Sequence, residues 1–479
     1  MTPPVPPPNS LVSRLDALYE YDREPVKPKD LHGWKIFWAT FAGEHIAGTE
    51  FVIGPLFVMH GCTAFDTLVG LFIGNLLAVL SWAFICAPVA VKTRLTIYWQ
   101  IRKLGGPWLT VAYSAVYGVI LCVLAGSMLR VSMTSIAIPF EHFFDPTAGL
   151  PEWMWIVLAI VVGSVIAILA VLGFEGMAIF LKMSAPWMVI VFFVAGIATL
   201  PMLGCHSLAD FWRVANEKIW TGVTSIDPNT GRAFSKFTLW HVIGFSWLCN
   251  MPQHFGMADL TILRYARKWQ MGFCSSAGMY LGHYCAWVAS GILCAAAIQR
   301  GILPSPGPIA FLGAGLTGAL CVVVAGWNVA SPTLYRAGLA LQVATPNWSR
   351  WKVTLVVGAG MIVCACIPSI LTHMDLLLTT NALVLLPLGA FIFIDIWLFP
   401  KLSLRSNFAE HRGVAISWPA AAAWILPMIG SLVAFFNGAD PIFLALPEWA
   451  ACVVLYIVFS AVQQRSASKS APAALSAST

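Results

Sequence analysis

The chain repeatedly runs for 20 or so residues on almost nothing but apolar side chains, as in WIVLAIVVGSVIAILAVLGF at 155–174. A run of ~20 such residues matches the thickness of a hydrocarbon layer. Inside that layer every backbone amide needs a partner from its own segment or a closed sheet. The repeated runs therefore dictate an all-α polytopic membrane protein. Only 10% of the residues are charged, against about a quarter in soluble domains, so a water-facing surface could not be built from them. The formal charge of +6 is scattered over short loops and forms no basic field, which argues against nucleic acid as a partner. Most of the 12 cysteines fall in apolar runs without metal-ligand spacing and read as small packing residues.

Twelve spans are predicted, at roughly 34–60, 65–90, 108–132, 152–172, 183–201, 238–266, 271–298, 308–334, 352–371, 377–400, 415–437 and 441–462. GFEGMAIFLK, between the fourth and fifth, is expected to pack as a connecting segment. One set of loops carries Lys92, Arg94, Arg102, Lys103, Lys182, Arg350, Lys352, Lys401, Arg405 and Arg412, and the opposite set carries Glu141, Asp145, Asp375 and Asp440. That asymmetry places the basic loops, and with an even span count both termini, on the cytoplasmic side of the cell membrane, the inner membrane if there are two. The Pro-rich residues 1–30 show no basic segment leading into a short apolar run and a cleavage site, so the first span is expected to do the targeting. Residues 463–479 read as a disordered tail. Lys and Arg near span ends read as snorkelling topology residues without chemistry.

The stretch at 31–59, LHGWKIFWATFAGEHIAGTEFVIGPLFVM, is long enough to cross the bilayer yet holds Glu44, His45 and Glu50 beside Gly43 and Gly48. Ionisable groups at that depth are costly and normally face a cavity. An interrupted helix can present them, along with freed backbone groups, to a solute or ion. The sixth span repeats the pattern: in FTLWHVIGFSWLCNMPQHFGMADLTILRY, Pro252 should stop or kink the helix near 249–251, because it lacks an amide hydrogen. Interruptions in corresponding spans of two halves point to a midplane transport site.

Five stretches then bear on kinship: Gly54 followed by AFDTLVGLFIGNLLAVLSWA, GFEGMAIFLKMSAPWMVIVFFV, TILRYARKW, NVASPTLYRAGLALQVATPNWSR and PLGAFIFIDIWLF. Together, over residues 31–465, they resemble the nucleobase–cation symport family of cytosine, purine, allantoin and hydantoin permeases. The resemblance implies a LeuT-like core of five-plus-five inverted repeats over 31–400 with discontinuous helices 1 and 6. Two further helices at 415–462 would follow, with 1–30 and 463–479 as cytoplasmic ends. It also implies a substrate held between helices 1, 3, 6, 8 and 10. Aligned on Gly118 and Gly126, Val116 and Ile120 fall where better-known members have a stacking Trp and a hydrogen-bonding Gln, and Thr333 falls on a family Asn. Trp327 and Asn328 replace the hydroxyl pair of the sodium-binding members, and Thr261 replaces an Asp, with Asp259 displaced by two. These departures touch the cargo and the coupling ion, not the fold.

The expected substrate-binding residues are Glu44, His45, Val116, Ile120, Phe245, Trp247, Asn250, Gln253, Asn328 and Thr333. Glu44, His45, Asn328 and Ser331 are the expected coupling residues, with a proton favoured over sodium. Glu50, beyond the break, is the weaker candidate, and His283 and Tyr284 read as packing. Neither a cofactor nor a metal site is indicated, and no nucleophile–base pair that would mark an enzyme. The resulting expectation is a secondary active importer of a small planar nitrogen-containing solute, a nucleobase, hydantoin, allantoin or related base. The alternative is a carrier of an amine, guanidino compound or vitamin base bound by Glu44. A channel or intramembrane enzyme is a remote third. The bilayer and a small solute are the expected partners, and the oligomeric state is left open.

Overall fold

The computed structural model describes residues 24–141, 150–226, 231–302, 304–345, 347–367, 370–371 and 374–475. Residues 1–23 and 476–479 of the expected terminal segments, Asp145, and the side chains of Glu141 and Asp375 lie outside that description. The described chain is helical throughout, with only isolated bridges between extended residues.

Among the described residues, nine helices are long and apolar enough to cross a membrane. They include α3 (Ala64–Thr93), α6 (Glu152–Val171), α9 (Trp269–Gln299), α10 (Pro306–Gln342), α12 (Leu376–Leu398) and α13 (Trp418–Phe436). The other three run within α5 (Pro107–Glu141), α7 (Gly173–Thr199, extended to Leu203) and the stretch Pro441–Ala467 that leads into α14 (Ala445–Leu475). Their outer faces show Val161, Ile179, Ile190, Phe193 and Phe436 more than half exposed. Water does not tolerate so continuous an apolar surface, whereas lipid does.

The stretch at 34–59 is interrupted. Helix α1 (Trp34–His45) ends where Ile46 leaves helical geometry at φ −102°, ψ 81°, and α2 (Glu50–Met59) begins afresh. Gly48 sits in the gap because a Cβ there would lie 3.1 Å from the Gly326 Cα of α10. The second interruption falls at 249–250, as Pro252 predicts: α8 (Leu239–Leu248) stops, and a single turn, Met251–His254, starts with Pro252 in its first positions. The chain then winds through Met257, held at φ +60°, before the turn Leu260–Leu263.

Three expectations change. GFEGMAIFLK forms the first turns of α7, with Pro186 inside the helix, since nothing between Gly173 and Pro186 breaks the backbone hydrogen-bond ladder. The eighth span does not end at 334 but continues to Gln342, kinked at Ala314 and Gly315. The last helix reaches Leu475, so much of 463–479 continues it rather than forming an unstructured tail. Two shorter helices complete the scaffold: α4 (Ile97–Gly105) between α3 and α5, and α11 (Arg350–Ala365) between α10 and α12.

Helices in lipid gain nothing from hiding apolar surface, so they associate through small residues that let backbones approach. A Cβ at Gly54 of α2 would press on Ser290 of α9 and lie 2.6 Å from the Trp287 carbonyl. A Cβ at Gly74 of α3 would press on Ser246 of α8 and lie 2.6 Å from the Ile243 carbonyl. The same glycine–serine contact therefore joins α2 to α9 and α3 to α8. The Ser290 hydroxyl also donates to the Glu50 carbonyl at 2.7 Å, at the start of α2. Gly54→Val should overpack this junction by about 1–3 kcal/mol. The check is a lower apparent unfolding midpoint of the detergent-purified protein, while Gly430→Val, at a position open to lipid with nothing within 4 Å, leaves it unchanged.

Candidate functional site

Where the two interruptions meet, the helices enclose a cavity of about 60 Å³. Its walls are Glu44 and His45 at the end of α1, Thr49, Glu50 and Ile53 from the gap and α2, and Leu121 and Leu124 of α5. Cys249, Asn250 and Gln253 come from the second interruption, His283 from α9, Val329, Thr333 and Arg336 from α10, and Leu378 from α12.

The strongest interaction in the site was not expected from the sequence. The Arg336 guanidinium, 2% exposed, donates to Glu44 Oε1 at 2.5 Å and to Asp259 Oδ1 at 2.7 Å. Glu44 lies in the last turn of α1, where the negative end of the helix dipole disfavours a carboxylate, and the guanidinium offsets both. Asp259 Oδ2 accepts from Trp82 Nε1 at 2.8 Å, and the Arg336 carbonyl accepts from Tyr98 Oη at 2.9 Å. One arginine thus ties together α1, α3, α4, α10 and the linker after the second interruption. Sequence reasoning ended the eighth span two residues short of Arg336 and so placed it at a helix end. The signal present was an arginine inside the apolar run TLYRAGLALQ, at a depth where a charge needs a partner.

A second polar group faces the first. Glu50, fully buried, accepts from the Thr49 hydroxyl at 2.9 Å and lies 3.9 Å from His283 Nε2. The Asn250 amide nitrogen is 3.3 Å from His283 Nδ1. His45 Nδ1 donates to the Phe41 carbonyl at 2.9 Å, and its ring stands edge-on to His283 at 5.1 Å between centroids. Three buried oxygens on cavity-lining residues have no hydrogen-bond partner: Glu44 Oε2, Glu50 Oε2 and Gln253 Oε1. Among the described residues no cluster of His, Cys, Asp and Glu could hold a metal ion.

Of the expected site residues, Glu44, His45, Asn250, Gln253 and Thr333 are brought together at this cavity. Val116 and Ile120 do not line it: Val116 is 40% exposed on the outer face of α5, and the face that turns inward holds Leu121 and Leu124. Phe245 packs against Phe57 and Trp287, and Trp247 donates from its indole to Ser81 at 3.1 Å. Asn328 accepts from Ser184 Oγ at 3.1 Å with its amide nitrogen 3.2 Å from Met188 Sδ, and Ser331 donates to the Trp327 carbonyl at 2.8 Å. These two join α10 to α7 and to its own previous turn. Glu50, His283, Thr49 and Arg336 line the cavity, and Asp259 is the second anchor of Arg336, none of them in the expected set.

The fold recurs in solved structures. A nucleobase-cation-symport-1 family transporter, Mhp1, in a closed conformation with bromovinylhydantoin bound superposes with a TM-score of 0.68 at 14% identity, over 92% of this chain and 95% of that one. A Na+-coupled sialic acid symporter in a substrate-bound outward-open state gives 0.65 at 12% identity over 94% and 93%. MhsT in complex with L-phenylalanine gives 0.52 at 17% identity over 88% and 97%. This chain has their fold. It is a polytopic α-helical membrane protein. No protein-family model matches the sequence, and no match to a curated protein is found.

Removing one partner of a buried ion cluster leaves an uncompensated charge and costs about 3–5 kcal/mol. Arg336→Gln should therefore lower the apparent unfolding midpoint sharply or abolish recovery of folded protein. Adding Glu44→Gln to that variant should restore part of the loss, measured side by side in the same detergent.

Proposed function

We propose that this protein is a secondary active transporter of a small nitrogen-containing solute, working by alternating access between the two sides of the membrane. The single observation that carries the reading is the cavity lined by ionisable and amide side chains at the meeting point of two interrupted helices, the arrangement transporters use for cargo and ion. The likeness in fold to symporters supports it. Twelve spans account for the chain when 34–59, 239–263 and α11 are counted as crossings. The paired contacts of α2 with α9 and of α3 with α8 support two five-helix halves, in which spans 1 and 2 correspond to spans 6 and 7. The basic loops face the cytoplasm in this reading.

A cavity of about 60 Å³ is far below the ~300–1,000 Å³ of sites that hold a drug-sized ligand. In this reading cargo enters when the walls part. Glu44, His45, Asn250, Gln253 and Thr333 form the binding site, joined by Glu50 and His283. Coupling runs through a proton on the carboxylate and imidazole groups rather than through Asn328 and Ser331, whose polar atoms serve neighbouring helices. A nucleobase, hydantoin or allantoin would offer its N–H edge to the open acceptors. The same acceptors favour the second reading: two unpartnered carboxylate oxygens, from Glu44 and Glu50, suit an amine or guanidino cargo.

Uptake into proteoliposomes, across a panel of nucleobases, hydantoins, allantoin, amines and guanidino compounds, should show accumulation driven by a pH gradient and indifferent to sodium. No uptake of any solute under either gradient would remove the proposal. Glu50→Gln, which leaves the Arg336 pairing intact, separates the two cargo classes. It should abolish binding of a cation at every pH, and leave binding of a neutral base while lowering its accumulation.

A further inference from the structure

Away from the central cavity, at the Lys- and Arg-rich end of the bundle, α4 and the segment at 409–415, the end of the short helix Phe408–Arg412 and the turn after it, line a second, open cavity of about 360 Å³. That volume falls within the ~300–1,000 Å³ range of ligand sites. Its basic wall is Arg102 and Lys103, and its aromatic wall is Trp99, with the Arg102 guanidinium 5.1 Å from the indole centroid. Glu410 also lines it, 3.7 Å from Lys103, with half of its side chain exposed. An ion pair so exposed is weak, and a more strongly anionic group displaces it.

The position of the cavity identifies the anion. The α4 segment leads directly into α5 at Pro107, and the 409–415 loop leads into α13 at Trp418. Trp108, 66% exposed, and Trp418, 45% exposed, stand just beyond the cavity on those two helices. Exposed indoles at the ends of apolar spans mark the headgroup level of a bilayer, and basic pockets between spans at that level take anionic headgroups. We infer that this cavity binds the phosphodiester headgroup of an anionic phospholipid. Arg102 and Lys103 hold the phosphate, and the acyl chains lie on the apolar flanks that begin at Trp108 and Trp418. One turn before Arg102 on α4 stands Tyr98, whose hydroxyl donates to the Arg336 carbonyl at 2.9 Å. One helix therefore connects the lipid to the central ion cluster. The binding itself does not depend on the transport reading.

Native mass spectrometry of the intact chain, released from detergent with added lipid, tests the inference. The protein should retain phosphatidylglycerol in preference to phosphatidylcholine of the same acyl chains. Losing two basic groups through Arg102→Gln with Lys103→Gln should cut that retention about 25-fold. Glu410→Gln should raise it by removing the competing carboxylate, and millimolar inorganic phosphate should not displace the lipid. Equal retention of both lipids would overturn the inference, as would unchanged retention in a double variant of native elution profile. Displacement by inorganic phosphate would assign the cavity to a free anion instead. Should the double variant fail to fold, Glu410→Gln decides alone, and no gain in retention refutes the site.

Discussion

A guanidinium removed from water and placed among helices costs several kcal/mol unless its charge and its hydrogens are met. Arg336 grips Glu44 with one amino group and Asp259 with the other, and only its Nε is left without a hydrogen-bond partner. The three residues come from the end of the first half-helix, from the irregular chain after the second interruption, and from the last two turns of an apolar helix. None is tolerable alone at that depth. Each interruption leaves a backbone end that neighbouring elements must hold, and the ion cluster holds one from each. Trp82 and Tyr98 attach α3 and α4 to the same cluster, so the geometry around the cavity rests on one charged group.

Around this cluster the packing relies on the absence of side chains. Gly48 lets the first gap touch α10 at Gly326, and a Cβ at Gly326 would in turn lie 2.6 Å from the Met128 carbonyl of α5. Gly389 of α12 brings that helix against Gly256 in the second irregular segment, 2.7 Å from where a Cβ would stand. Backbone-to-backbone approach of this kind supplies the dispersion contacts that lipid cannot. It also places polar main-chain groups of the two gaps next to one another instead of next to hydrocarbon, which is the condition for irregular backbone inside a membrane.

The site that results is unequal in its two halves. On one side Arg336 pairs with two acids. On the other, Glu50 has a threonine hydroxyl, a histidine nitrogen 3.9 Å away, and one open oxygen. The apolar residues Leu121, Leu124 and Leu378 close the rest of the wall. The cavity-facing positions of span three, Leu121 and Leu124, thus give shape rather than hydrogen bonds.

Much of this was legible in the residues themselves. Apolar runs of bilayer length fix a helical membrane protein, because no other backbone arrangement satisfies its amides in lipid. Pro252, and the glycines and acids at 43–50, fix where two of those helices come apart, because each removes a hydrogen bond or introduces a charge that an unbroken lipid-facing helix cannot accommodate. The partners of those charges were beyond reach. Glu44, Asp259 and Arg336 are separated by 215 and 77 residues, and only the crossing of α10 over the two gaps decides that one arginine answers both acids. Which side of α5 faces inward was equally a tertiary matter. That helix is apolar on every face, so periodicity could not distinguish Val116 from Leu121, and the distinction came from the neighbours against which the helix packs.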